Sequence, residues 1–147
     1  EKHIRAVVDY AHTPNSLLAL YSAFEKERKI CVLGATGGGR DTWKRPEMGR
    51  IAAEACEHVI LTNDDPYDED PSAIVNAMAE GILDKTRVSI IIYRREAIRE
   101  AIRRASDNSV VLLCGKGTDP YLMGPRGSRE PWSDALVVQE ELTRLSQ

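Results

Sequence analysis

Val110-Val111-Leu112-Leu113-Cys114-Gly115-Lys116-Gly117-Thr118-Asp119 decides the reading of this chain: five apolar residues in a row, then an abrupt change to glycine and charge. A run that is apolar at every position, rather than at alternate ones, suits a strand covered on both faces, as in a parallel sheet. Working outward, the same transition recurs. Residues 4–8 lead into Asp9-Tyr10-Ala11-His12, residues 30–33 into Gly34-Ala35-Thr36-Gly37-Gly38-Gly39-Arg40, and residues 59–61 into Asn63-Asp64-Asp65-Pro66. Residues 88–93 read as the strongest strand, because β-branched and aromatic side chains crowd there. Between the strands lie stretches with helical spacing. They start at Pro14 (Leu17, Leu18, Leu20, Tyr21 and Phe24 on one face) and cover 46–57, 71–83 and 96–105, with a last helix from Ser133 to about Leu145. Residues 118–131, rich in glycine and proline, should form a surface loop or small hairpin. This alternation implies an α/β fold: Rossmann-like and doubly wound, a mostly parallel sheet of about six strands with helices on both faces. The direction of the first strand stays open, since a short edge strand can run antiparallel.

The length of 147 residues fits a single domain, 1–147, with one core. Net charge is −3 with both signs scattered and no basic block, which argues against nucleic acid as a partner. No apolar run approaches the roughly 20 residues of a membrane helix, and Glu1-Lys2-His3 runs into a strand without a signal peptide. A cytoplasmic monomer is therefore expected. A strand so close to the start suits a whole protein or a piece of a longer one. Cys31, Cys56 and Cys114 are far apart and form no C-x-x-C pair, so buried thiols are expected rather than a zinc site; no metal site is expected in this chain.

In doubly wound sheets ligands bind beyond the carboxyl ends of the strands, where the polar clusters of this chain fall. The basic, glycine-rich segment 34–45 suits phosphates or a carboxylate, with Arg40 and Arg45 able to make bidentate contacts. A dinucleotide fingerprint, and with it a stand-alone NADP-binding oxidoreductase, is the main rival. It requires a helix to start within the glycine turn, yet the polar segment 40–45 intervenes. The acidic run 63–71 lacks the sixth-position glycine and twelfth-position glutamate of a calcium loop. Asp68 to Asp70 suit the charge of a helix N-terminus, whereas Asp64 and Asp65 at the strand end could accept bonds from an ammonium group. Gly115-Lys116-Gly117 reads as a turn, and no G-x-x-x-x-G-K-[ST] phosphate loop exists in the chain. His12 alone would be a turn or capping histidine.

Together, VDYAHTP (8–14), GRDTWKRPEMG (39–49), NDDPYDEDP (63–71), GKGTD (115–119) and PWSDA (131–135) resemble, in order and spacing, the C-terminal domain of the Mur ligase family. They are most similar to the UDP-N-acetylmuramoyl-tripeptide synthetase branch, which adds the third residue of the peptidoglycan stem peptide. The resemblance implies an ATP- and magnesium-dependent ligase in which a peptide carboxylate is phosphorylated and an amino acid's amine then displaces phosphate. It also implies upstream domains, absent here, that hold most of the ATP and metal, with this domain closing over them. Partners would be ATP, the UDP-linked muramoyl peptide, an amino acid and the chain's own upstream domains. By motif, Asp9, Tyr10, His12, Arg40 and Asp41 would meet ATP. Arg45, Asp64, Asp65, Tyr67, Gly115 and Asp119 would form the amino-acid pocket, with Arg45 on the substrate carboxylate and Asp119 on a side-chain ammonium. No residue here is expected to be catalytic in its own right. Diaminopimelate-adding members carry D-N-P-R where this chain has Asp64-Asp65-Pro66-Tyr67, so diaminopimelate, lysine and other amino acids all stay open. A non-catalytic domain that merely retains the fold is the third reading.

Overall fold

The computed structural model describes residues 2–147; Glu1, the first residue of the Glu1-Lys2-His3 segment read above, lies outside the described residues. Five strands form one sheet: β1 (Arg5–Asp9), β2 (Lys29–Leu33), β3 (His58–Leu61), β4 (Val88–Ile90) and β5 (Val110–Cys114). Their order is β1-β5-β2-β3-β4, and every pairing is parallel, the first edge strand included. The sixth strand expected in this sheet is not there. Its place in the chain is taken by a separate antiparallel hairpin, β6 (Tyr121–Met123) with β7 (Arg129–Pro131), so segment 118–131 is the small hairpin rather than an open loop.

The chain steps from β1 past β5 to β2, β3 and β4, then returns to insert β5 between β1 and β2. Right-handed crossovers in opposite directions must lie on opposite faces. Accordingly α1 (Pro14–Ala23), α2 (Lys44–Ala55) and α3 (Pro71–Ala79) cover one face. There Leu17, Tyr21, Met48, Ile51, Ile74 and Met78 pack on Cys31, Leu33, Leu61 and Leu112. On the other face, α4 (Arg94–Arg104) and α5 (Asp134–Leu145) bring Ile98, Ile102, Val137 and Val138 onto Val32, Ile60, Val111 and Leu113. All three cysteines are buried and free.

Boundaries moved where a neighbour was missing or present. The stretch 88–93 is a regular strand only as far as Ile90, although Asn63 N–H still donates to the Ile92 carbonyl at 3.2 Å. Ile91 N–H adds one bond to the Leu61 carbonyl, and Tyr93 already precedes α4. Helix α2 begins at Lys44, so Pro46 falls in the first turn, where its missing N–H costs no bond. Helix α3 stops at Ala79 rather than at 83. Leu18, expected inward on α1, is half exposed. Ser133 caps α5 as expected, its Oγ accepting from Leu136 N–H at 3.2 Å.

One ion pair fastens the second helical layer to the sheet. Arg94 and Asp134 side chains are fully buried and form a two-pronged pair, Nε–Oδ1 and Nη2–Oδ2 both 2.8 Å. Arg94 also donates to the Asn63 carbonyl at 3.2 Å, and Trp132 Nε1 donates to Asp134 Oδ1 at 2.7 Å. Removing one partner leaves the other charged and dry. Asp134→Ala should cost about 3–5 kcal/mol in urea unfolding, against under 1 kcal/mol for an exposed pair such as Arg50–Glu54.

On the opposite face α2 and α3 touch backbone to backbone at Gly49, where a Cβ would collide with the Met78 carbonyl. Glycine in a helix interior normally costs about 1 kcal/mol relative to alanine. Gly49→Ala should nevertheless destabilise, by about 1–3 kcal/mol, because overpacking outweighs the gain in propensity; equilibrium denaturation gives the sign directly.

Candidate functional site

The register aligns the strand ends. Asp9 lies opposite Cys114, Cys114 opposite Leu33, and Leu33 opposite Leu61. The polar segments that follow therefore emerge side by side on one rim, and Arg45, Asp64 and Gly115 share it.

One lobe of the rim is anionic. Asp64 is buried at 5% exposure, walled by two glycines: a Cβ on Gly34 would strike Asp64 Cβ, and one on Gly115 would strike Asp64 Oδ2. Gly115 also has φ +107°, a conformation open to glycine alone without strain. Burial pushes the Asp64 carboxyl up to about 6, against the pull of Arg94 and Lys116 and with a smaller push from Asp65 and Asp134. Lys116, at 1% exposure, is held by Asp65 (Nζ to Oδ1 2.9 Å and Oδ2 3.0 Å) and the Tyr121 carbonyl (2.6 Å). Asp64 and Asp119 each sit 3.9 Å from Nζ, Asp119 half exposed at the mouth. Asp65 also accepts from Met123 N–H at 2.8 Å, while its carbonyl accepts from Gly37 N–H at 2.8 Å. Asp65 thus joins the acidic loop, the glycine loop, the Lys116 turn and the hairpin. Tyr67 (φ +52°) is partly exposed on the same loop and bonds through its N–H to the Met123 carbonyl at 3.4 Å.

The other lobe is cationic. A cavity of about 310 Å³ is lined by His12, Thr36, Arg40, Asp41, Lys44 and Arg45, among others. It opens at the start of α2, whose dipole adds positive potential, although the Lys44 and Arg45 N–H groups already donate to the Asp41 and Thr42 carbonyls at 2.9 and 3.2 Å. Arg40 is exposed, and Asp41 (φ +50°) pairs with Lys44 at 3.2 Å. Arg45 is buried, and its two terminal nitrogens meet Glu69 Oε2 and Oε1, both at 3.0 Å. The guanidinium expected to await a carboxylate from outside therefore already holds one from the acidic loop, which holds the Glu69 carboxyl below its ordinary range. Beside the cavity, Asp9 Oδ1 accepts from Ala11 N–H at 2.8 Å, and the Tyr10 hydroxyl meets Thr118 Oγ1 at 2.6 Å. His12 Nδ1 lies 2.7 Å from the Tyr10 carbonyl, the turn contact its sequence position suggests. Among the described residues no cluster of three or more His, Cys, Asp or Glu is placed to hold a metal ion.

Three participants escaped the sequence reading. Lys116 looked like part of a turn; its position between two glycines of positive φ was the only signal. Glu69 was hidden in an acidic run whose other members have local work: Asp70 Oδ1 accepts from Ser72 N–H to cap α3, and Asp68 accepts from Arg126 N–H. Arg94 falls between the strand read at 88–93 and the helix read at 96–105, where no pattern marks it.

The model of the family described as Mur ligase, glutamate ligase domain, matches residues 1–117. The chain belongs to that family. A UDP-N-acetylmuramoyl-L-alanyl-D-glutamate--2,6-diaminopimelate ligase of Cytophaga hutchinsonii is 39% identical over 97% of this chain and 30% of its own length. One of the same name from Trichormus variabilis is 45% identical over 97% of this chain and 30% of its own. A solved structure, also of a UDP-N-acetylmuramoyl-L-alanyl-D-glutamate--2,6-diaminopimelate ligase, superposes over the whole chain with TM-score 0.91 and 32% identity, covering 31% of that chain. This chain thus spans about 30% of the length of these curated relatives.

Asp64 imposes a pH dependence whose sign follows from its raised folded value. Between its ordinary 3.8 and about 6 the folded chain binds more protons than the unfolded one, so its contribution falls as pH rises through that window. The gap corresponds to about 3 kcal/mol. Asp64→Asn should match the wild type near pH 4 and exceed it in stability at pH 7.5; equal denaturation midpoints at both pH values would remove the assignment.

Proposed function

We propose that this chain is the amino-acid-gripping, closing domain of an ATP-dependent amide ligase that adds the third residue to a UDP-N-acetylmuramoyl dipeptide in peptidoglycan synthesis. The observation that carries the reading is the pair of adjacent lobes of opposite charge at one rim. A free amino acid is a zwitterion, and such a site can orient both ends of it. In this reading Arg45 takes the carboxylate as a two-pronged pair, and Asp64, the Gly115 backbone and Asp119 face ammonium groups. Asp65 and Lys116 hold the lobe in shape, and Tyr67 borders it. An acidic pocket with Asp119 at its mouth favours a diamino acid. The relatives are named for 2,6-diaminopimelate; Tyr67, which offers no guanidinium for a distal carboxylate, leaves lysine as the other choice.

The cationic cavity fits the oxygens of a phosphate chain. Arg40, Lys44 and the α2 N-terminus supply charge there, and Asp9, Tyr10, His12 and Asp41 border it. ATP supplies the phosphoryl group that activates the acceptor carboxylate. The residues of this chain orient the incoming amine and exclude water on closure. With no P-loop sequence and no metal cluster among its described residues, the chain relies on upstream domains for most of the ATP and magnesium contacts. Such chemistry belongs in the cytoplasm, and no helix of the described residues is long and apolar enough to cross a membrane. A Rossmann-type oxidoreductase is less well supported, because α2 begins at Lys44, well past the glycine turn.

The 147-residue chain should show no ATP turnover alone. In the full-length protein, Arg45→Ala should raise the KM for the amino acid about ten- to a hundredfold, the value of one or two charged hydrogen bonds, and leave the KM for ATP within about twofold. An unchanged amino-acid KM for both diaminopimelate and lysine sinks the assignment and favours a non-catalytic domain.

A further inference from the structure

The two loops that frame the anionic lobe leave strands that do not touch, because β2 runs between β3 and β5. Two strand spacings set their ends roughly 9.5 Å apart. Arg94 spans that gap. Its Nη1 donates to the Asn63 carbonyl at 3.2 Å and its Nη2 to the Cys114 carbonyl at 3.4 Å, while Nε and Nη2 hold Asp134. Those two carbonyls belong to the residues immediately before Asp64 and Gly115. The guanidinium is planar and its side chain is fully buried, so one rigid group fixes both carbonyls. Gly34, just past β2, leaves the space for this: a Cβ there would strike Asp64 Cβ and the Thr62 carbonyl and push the β3 loop away.

The same side chain acts on charge. Asp64 is faced by Arg94 from α4, Lys116 from the turn after β5, Asp65 from its own loop and Asp134 from the start of α5. Burial favours the neutral carboxyl. Against burial Arg94 pulls hardest, then Lys116, and the two aspartates push the other way by less. A neutral carboxyl would give an incoming ammonium group only a weak acceptor.

We propose that Arg94 is a positioning residue for the amino-acid substrate: it fixes the spacing of Asp64 and Gly115 across β2 and sets a buried positive charge behind Asp64. The proposal rests on the reading that Asp64 and the Gly115 backbone receive an ammonium group. Arg94 itself, enclosed on all sides, touches no substrate.

The test uses the full-length ligase and whichever amino acid it accepts, diaminopimelate or lysine. In the wild type the amino-acid KM should bend upward as pH falls through about 6, where Asp64 takes up a proton. Arg94→Met/Asp134→Leu replaces the buried pair by apolar groups of similar bulk, an exchange that folds commonly tolerate. In that variant the bend should move to higher pH, since the lost pull of Arg94 exceeds the lost push of Asp134. At pH 8 its amino-acid KM should rise about tenfold from misplacement alone, with the KM for ATP within about twofold. A pair that merely tied α4 to the sheet would leave the bend where it was. Arg94→Lys keeps the charge without the fork, so it should raise the KM at pH 8 and leave the bend in place; it serves if the double variant does not fold. An unmoved bend or an unchanged KM in the double variant, or an unchanged KM in Arg94→Lys, overturns the proposal. Asp64→Asn tests the reading beneath it separately: a bend that survives there, or an unchanged KM at pH 8, overturns that reading.

Discussion

A single buried ammonium organises the site. Lys116 is almost completely removed from water, a condition that costs several kcal/mol unless every proton finds an acceptor. Two carboxylate oxygens of Asp65 and the Tyr121 carbonyl supply three short contacts, two from the acidic loop and one from the start of the hairpin. The loops after β3 and β5 and the hairpin cannot separate without exposing that charge unpaired. What would otherwise be three independent surface loops is therefore one rigid wall, with Asp64 enclosed behind it between Gly34 and Gly115.

The other wall depends on the same economy of charge. Arg94, dry and shared between Asp134 and the Asn63 carbonyl, anchors the start of α4 and α5 to the end of β3. Arg45 does the equivalent work between α2 and the acidic loop through Glu69. Three cations thus pin the acidic strand-end loop from three directions. Two of them, Lys116 and Arg94, are fully satisfied by groups that have no freedom to leave. The Arg45 partner, Glu69, lies on a more exposed loop.

Asp64 stands apart because its carboxylate makes no hydrogen bond within the described residues, its contact with Lys116 Nζ being an ion pair at 3.9 Å. The price of its burial is a raised proton affinity, in contrast to Glu69, whose carboxyl is held low by Arg45. The proton affinities of two carboxylates of one loop are thereby shifted in opposite directions by their surroundings. Such a contrast is typical of places where a protein receives a ligand rather than merely closes its surface.

The sequence by itself determined the layers. Unbroken apolar runs in residues 30–33, 59–61 and 110–114 require cover on both faces, and helical spacing between them supplies it, so a doubly wound sheet with polar loops at one rim was legible. The ordered motifs pointed to the Mur ligase family for the same reason: residues needed at strand ends sit at fixed distances along the chain. Only the tertiary structure decided that the sheet has five strands and that β4 ends at Ile90. It also decided that the last two strands form a hairpin of their own. Asp65 on Lys116, Arg45 on Glu69 and Asp134 on Arg94 lie between 24 and 51 residues from their partners, and no local pattern encodes a contact at that separation. Periodicity reports which side of an element is dry; which charge meets which in the dry space is settled when the elements pack.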